Sequence, residues 1–181
     1  MFNCRLAFLL IALALAISCV QSGAQGTIFH SQGRTLAGNV VTLPDAVKGK
    51  VGVLVVGFSH ASQGQVEAWG RRLLVVYGQS SVVVYFEVPM LAGAPKLLRG
   101  MIVKKMASSV SVAERPHFLP LTENEAAWRA VAHYARPDDA YVLVIDGDGK
   151  VLWQTEGDAT DAAYRALRQN VTRLSAQSGA H

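Results

Sequence analysis

Between Gly57 and Trp69 the chain reads GFSHASQGQVEAW, which gathers Ser59, His60, Ser62, Gln63 and Gln65 after an apolar run and before a helical pattern. Two hydroxyls, an imidazole and two carboxamides at a helix start offer dense hydrogen bonding. The free amides of a first helical turn also favour negative groups. Two readings stay open: a docking or anion site, and a polar loop whose Ser62 hydroxyl caps the helix. Hydrolysis by Ser59 or Ser62 with His60 fits poorly, since sequence neighbours rarely align a hydroxyl with a ring nitrogen and no nucleophile elbow is present.

Other chemistry-bearing residues are more scattered. His30, His60, His117 and His133 lack the i, i+4 spacing of a helical zinc site and an accompanying acid set, and read as independent surface histidines. Asp146-Gly147-Asp148-Gly149 resembles the start of a calcium loop, but Gly157 stands where the bidentate acid belongs. It reads as a hairpin turn. No metal and no cofactor is expected.

Sulfur chemistry is bounded by position. The chain has 2 cysteines, Cys4 and Cys19. Both lie in residues 1–24, where Arg5, the run LAFLLIALALAI and Ser22-Gly23-Ala24 form a secretory signal peptide cleaved before Gln25. Cleavage there removes every thiol, and with it dithiol exchange, a thiolate nucleophile and cysteine metal ligation. The alternative is lipidation. Ala16-Ile17-Ser18-Cys19 resembles a lipobox, in which Cys19 becomes a lipidated N-terminus and tethers the domain to a membrane. The export expected is thus periplasmic or secreted, with a membrane-anchored lipoprotein as the alternative.

The 181 residues suit one domain, and a net charge of +4 is modest. Lys96, Arg99, Lys104 and Lys105 cluster around one helical stretch, which reads as a solvated helix face rather than a nucleic-acid stripe. No nucleic-acid partner is expected.

Hydrophobic patterning supplies the scaffold. Residues 27–30 and 40–43 read as short strands, and VGVLVVGF (51–58) and SVVVYFEV (81–88) as strands covered on both faces. Val66, Trp69, Gly70, Leu73 and Tyr77 recur at helical spacing after Ser62, and Gly78 supplies a stop. Residues 95–107 read as a helix with Leu97, Leu98, Met101 and Ile102 inward, and 108–121 as a loop with a short extended piece. Thr122 and Glu125 have capping-box spacing for a helix that Pro137 closes. The strands YVLVI and KVLWQ flank DGDG as a hairpin, and a last helix turns Ala163, Leu167 and Leu174 inward. The expected domain is 25–175, with a disordered tail at 176–181.

This element order resembles the thioredoxin-like superfamily, in particular its exported redoxin branch, on the opening GNVVTLPDAVKGKVGVLVVGF and the close YVLVIDGDGKVLWQTEG. The ending AYVLVIDGDGKVLWQTEGDAT (140–160) is also similar to the mitochondrial ATP-synthase assembly factor family and its bacterial relatives. The resemblance implies a three-layer α/β sandwich, with a central mixed sheet, a C-terminal antiparallel hairpin and a terminal helix. It sets the superfamily's Cys-x-x-Cys pair on Gln63 and Val66, its buried acid on Gly57 and its cis-proline on Ala140. All four are replaced. The expectation is a non-redox binding or assembly-assisting protein acting on an unidentified protein client. Its binding residues would be His60, Ser62, Gln63, Gln65 and Ala140, and none would be catalytic. The alternative is a redoxin-type enzyme, handling peroxide or disulfides through an unrecognised residue.

Overall fold

The run Val51–Gly57 (β3) holds only glycine, valine and leucine, and all seven residues are buried. Only the middle of a sheet covered on both faces accommodates such a strand. In the computed structural model, which describes residues 26–178, β3 lies inside a four-stranded sheet. Val83–Pro89 (β4) lies parallel to β3, and Ala140–Ile145 (β5) lies antiparallel on its other side. Val151–Glu156 (β6) completes the hairpin, turning through Asp146 and Gly149. Residues 118–121 run along the outer edge of β4: the Leu119 and Leu121 amides donate to the Glu87 and Pro89 carbonyls at 2.8 and 3.0 Å.

Alternation along the strands divides the core in two. Val53, Val55, Val142 and Val144 face Gln63–Tyr77 (α1) and Asp161–Ser178 (α4), packing on Trp69, Leu73, Leu167 and Val171. Leu54, Val56, Phe86, Val88 and Leu143 face the opposite way, against Leu119, Leu121 and Trp128 of Glu125–Val131 (α3). Each fully buried Val, Leu or Phe contributes about 1.5–3 kcal/mol through lost hydration, so these two layers hold the fold. The result is the expected three-layer α/β sandwich with a mixed sheet, terminal hairpin and terminal helix. Ser31–Arg34 (β1) and Val40–Leu43 (β2) form a separate antiparallel pair on the α3 side.

Several local expectations are corrected. The stretch 27–30 is not a strand, although Thr27 bridges Lys150; the first strand comes later, as β1. Lys96–Ser109 (α2) forms where expected but buries none of its residues. Leu97 and Met101, read as inward, are 96% and 63% exposed. The Thr122–Glu125 capping box does not form. Asn124 precedes α3 in a left-handed conformation, and Glu125 bonds Arg129 instead. α3 stops at Val131, short of Pro137, and His133 adopts a positive φ. α4 continues to Ser178, so residues 176–178 are helical rather than a tail. The expected leader and Cys19 lie outside the described residues, as do 179–181.

Candidate functional site

The loop between β3 and α1 is organised by Ser59. Its hydroxyl accepts the Ala61 and Ser62 amides at 3.0 and 3.3 Å and donates to the Pro137 carbonyl at 2.6 Å. Ser62, expected as the helix cap, instead donates to the Ser59 carbonyl and is fully buried. One turn into α1, Gln65 Oε1 accepts the Ala140 amide at 2.8 Å. The resemblance implies that this loop lies beside residues 136–140; it does, through two direct hydrogen bonds that close the seam.

That closure divides the expected binding residues. Ser62 and Ala140 are buried, Ser62 at the wall of the cleft that opens beside the loop, and Gln65 is committed to the Ala140 amide. His60 is exposed, and Gln63, partly exposed, reaches along the helix to Glu67 at 2.8 Å. Ser59 donating to a carbonyl leaves its hydroxyl proton unavailable to an imidazole, which disposes of the serine-hydrolase arrangement.

On the opposite side of the loop the surface opens. A cleft of about 640 Å³ lies between the loop, the start of α1, the end of β4 and α2. Phe58, Val66, Met90, Ile102, Met106 and Phe118 give it an apolar body. Polar groups stand around this body: His60 and Gln63 from the loop, Lys105 from α2, and the Glu125–Arg129 pair from α3. Arg129 is already engaged, at 2.7 Å from Glu125 and with its guanidinium 3.9 Å from the Tyr134 ring centre. Residue patterns did not suggest this cleft, because its α2 wall combines Ile102, read as core-facing, with Lys105, read as part of a solvated face.

A second feature lies between α1 and β4. Glu87, in the middle of β4, is 2% exposed, and its Oε1 has no hydrogen-bond partner. Burial first, then the carboxylates of Glu114 and Glu67, push its pKa up to about 8, against the opposing pull of Arg71. Tyr85, two residues earlier and on the same face, has an unpartnered hydroxyl whose pKa burial also raises. Its ring stacks on His117 at 4.1 Å, and His117 Nδ1 donates to the Tyr85 carbonyl at 3.2 Å. Burial lowers the His117 pKa, opposed by that hydrogen bond. The sequence carried a signal for this group: Glu87 is the one charged residue in an otherwise apolar strand. The other histidines lie apart, His30 near Asp45 and His133 on Gln154. No group of three His, Cys, Asp or Glu residues that could hold a metal occurs among the described residues.

No protein-family profile and no curated protein matches the chain. Solved structures do. A DsbE-type thiol:disulfide interchange protein from Chlorobium tepidum superposes with a TM-score of 0.59 at 18% identity, covering 83% of this chain and 96% of its own. BsSco, a member of the Sco family of cytochrome c oxidase assembly proteins, gives 0.57 at 15%, covering 84% and 95%. The exposed lipoprotein thioredoxin Etrx1 from Streptococcus pneumoniae gives 0.55 at 14%, covering 78% and 99%. The fold is thioredoxin-like.

Gln63 and Val66, on which the resemblance sets the sulfur pair, both line the cleft. Gly57, on which it sets the buried acid, has no room for a side chain. A Cβ there would stand 2.8 Å from Val66 Cγ2 and 2.9 Å from Ser62 Oγ, tighter than real contacts allow. A buried carboxyl group without a salt-bridge partner sits instead on the neighbouring strand, at Glu87.

Proposed function

We propose that this protein is an exported, non-redox binding module that holds its partner in the cleft between the β3–α1 loop and α2. The observation that carries this reading is the cleft itself, with Gln63 and Val66 in its wall where the superfamily places sulfurs. An amide and an isopropyl group form contacts but no mixed disulfide, so a partner is held reversibly. An apolar body with few polar groups around it is the usual make-up of a binding site. A client-assisting role, like that named for BsSco, is one use of such a module.

The test is capture from an envelope extract by the chain beginning at Gln25, with and without a thiol reductant. Capture should be indifferent to reductant and should fall at least tenfold when Ile102→Trp fills the cleft. Capture abolished by reductant would instead favour the redoxin-type enzyme. That second reading has one support: the structural neighbours include thiol:disulfide interchange proteins.

A further inference from the structure

Resting on the cleft as the binding site, we infer that its ligand is a small amphipathic anion: an apolar chain or ring system carrying one carboxylate-like group. The volume of about 640 Å³ is within the range that holds whole small molecules. Phe58, Val66, Ile102, Met106 and Phe118 supply a wall that a hydrocarbon body dehydrates on entry.

Charge decides the head group. The lining holds two permanent cations and one acid: Lys105, Arg129 and Glu125. Glu125 and Arg129 neutralise each other at 2.7 Å, and Glu125 also accepts the Gly93 amide at 3.1 Å. Lys105 has no acidic partner among the described residues. A cleft with a satisfied ion pair and one free ammonium presents a net positive site. A cationic ligand meets repulsion from Lys105, and a neutral one leaves the ammonium without a partner. An anion pairs with it. His60 and Gln63 can add hydrogen bonds from the loop side.

Access is consistent with this. α2 forms one wall of the cleft yet buries none of its own side chains in the core. Its displacement by a ligand therefore exposes little apolar surface.

The experiment uses the chain from Gln25 and three probes sharing one tail, all below their micellar concentrations: decanoate, decanol and decyltrimethylammonium. Binding is followed by NMR shifts of the Ile102 and Met106 methyl groups. Decanoate should bind tightest, and Lys105→Gln should weaken it roughly fivefold, as loss of one partly exposed ion pair implies, with little change for decanol. Lys105→Glu should reverse the order of decanoate and decyltrimethylammonium. Ile102→Trp should abolish all three, whereas Leu97→Gln, on the outer face of α2, should change nothing. Binding of the three probes irrespective of charge, still blocked by Ile102→Trp, overturns the anion assignment and leaves the cleft as the partner site. Shifts with none of the probes overturn the small-ligand inference, while partner capture blocked by Ile102→Trp would still uphold the proposed function.

Discussion

Gly70 of α1 lies directly against the carboxyl group of Glu87, so closely that a Cβ at position 70 would overlap the Glu87 carboxyl atoms. Helix interiors disfavour glycine by roughly 0.5–1 kcal/mol relative to alanine. Here that cost is offset by the room left for a buried acid between helix and sheet.

Gly70→Ala should therefore destabilise the protein, by about 1–3 kcal/mol as for other overpacked cores, despite the better helix propensity of alanine. Adding Glu87→Ala should recover much of that loss, because the obstructing carboxyl group is gone. Urea unfolding of the two single variants and the double variant measures the coupling. Additive losses would show that the two residues do not meet.

Stability should depend on pH through Glu87. Its folded pKa is about 8 against an ordinary 4.5. Between those values the folded state keeps a proton that the unfolded state releases. The associated stability is present in full below about pH 4.5 and is lost as pH rises through about 8. The loss is on the order of a few kcal/mol. His117 acts oppositely, since its lowered pKa means that stability falls as pH drops below its ordinary value of 6.5. Glu87→Gln should flatten the decline toward pH 8 and leave the acid-side loss in place. An unchanged decline would assign it to another group.

Gln65→Ala should cost about 1 kcal/mol or more, because it strands the amide of the fully buried Ala140. Gln63→Ala breaks only a half-exposed bond to Glu67 and should stay within about 0.5 kcal/mol. The two glutamines are thus separable: Gln65 belongs to the seam and Gln63 to the cleft. Thermal unfolding of each single variant distinguishes them, and equal losses would contradict that division.

Mass spectrometry of envelope material should find an N-terminus at Gln25. Protein of that length should neither reduce insulin disulfides nor consume hydroperoxide above a heat-treated control, since both cysteines precede Gln25. A diacylglyceryl mass on Cys19 would replace the free N-terminus with a membrane tether. Turnover by cysteine-free protein would favour the enzyme reading.

The parts of the fold legible in the sequence are those fixed by strong local patterns. β3 and β4 appear as apolar runs, α1 through the periodic Val66, Trp69, Gly70, Leu73 and Tyr77, and the hairpin through its glycine-rich turn. α2 defeated the same logic. Leu97, Leu98 and Met101 look like a core stripe, yet the sheet face that would cover them is already occupied by residues 118–121 and α3. At the site, the polar loop was legible as a cluster and the resemblance placed it beside residues 136–140, but the individual bonds were not legible. Ser59 bonding Pro137 and Gln65 bonding Ala140 join residues more than seventy positions apart, and no local spacing encodes that. The cleft was hidden for the same reason, since its walls come from five separate segments.

α2 forms a wall of the cleft while placing no side chain in either core layer. Substitutions along it are consequently cheap in folding free energy, typically within about 0.5 kcal/mol. Substitutions in β3 or β5 disturb one core layer or the other. The molecule thus separates the residues that specify its architecture from those that select what it holds. Diversifying α2 alone, in a library built on an unchanged sheet, is a direct route to altered ligand preference without loss of the fold.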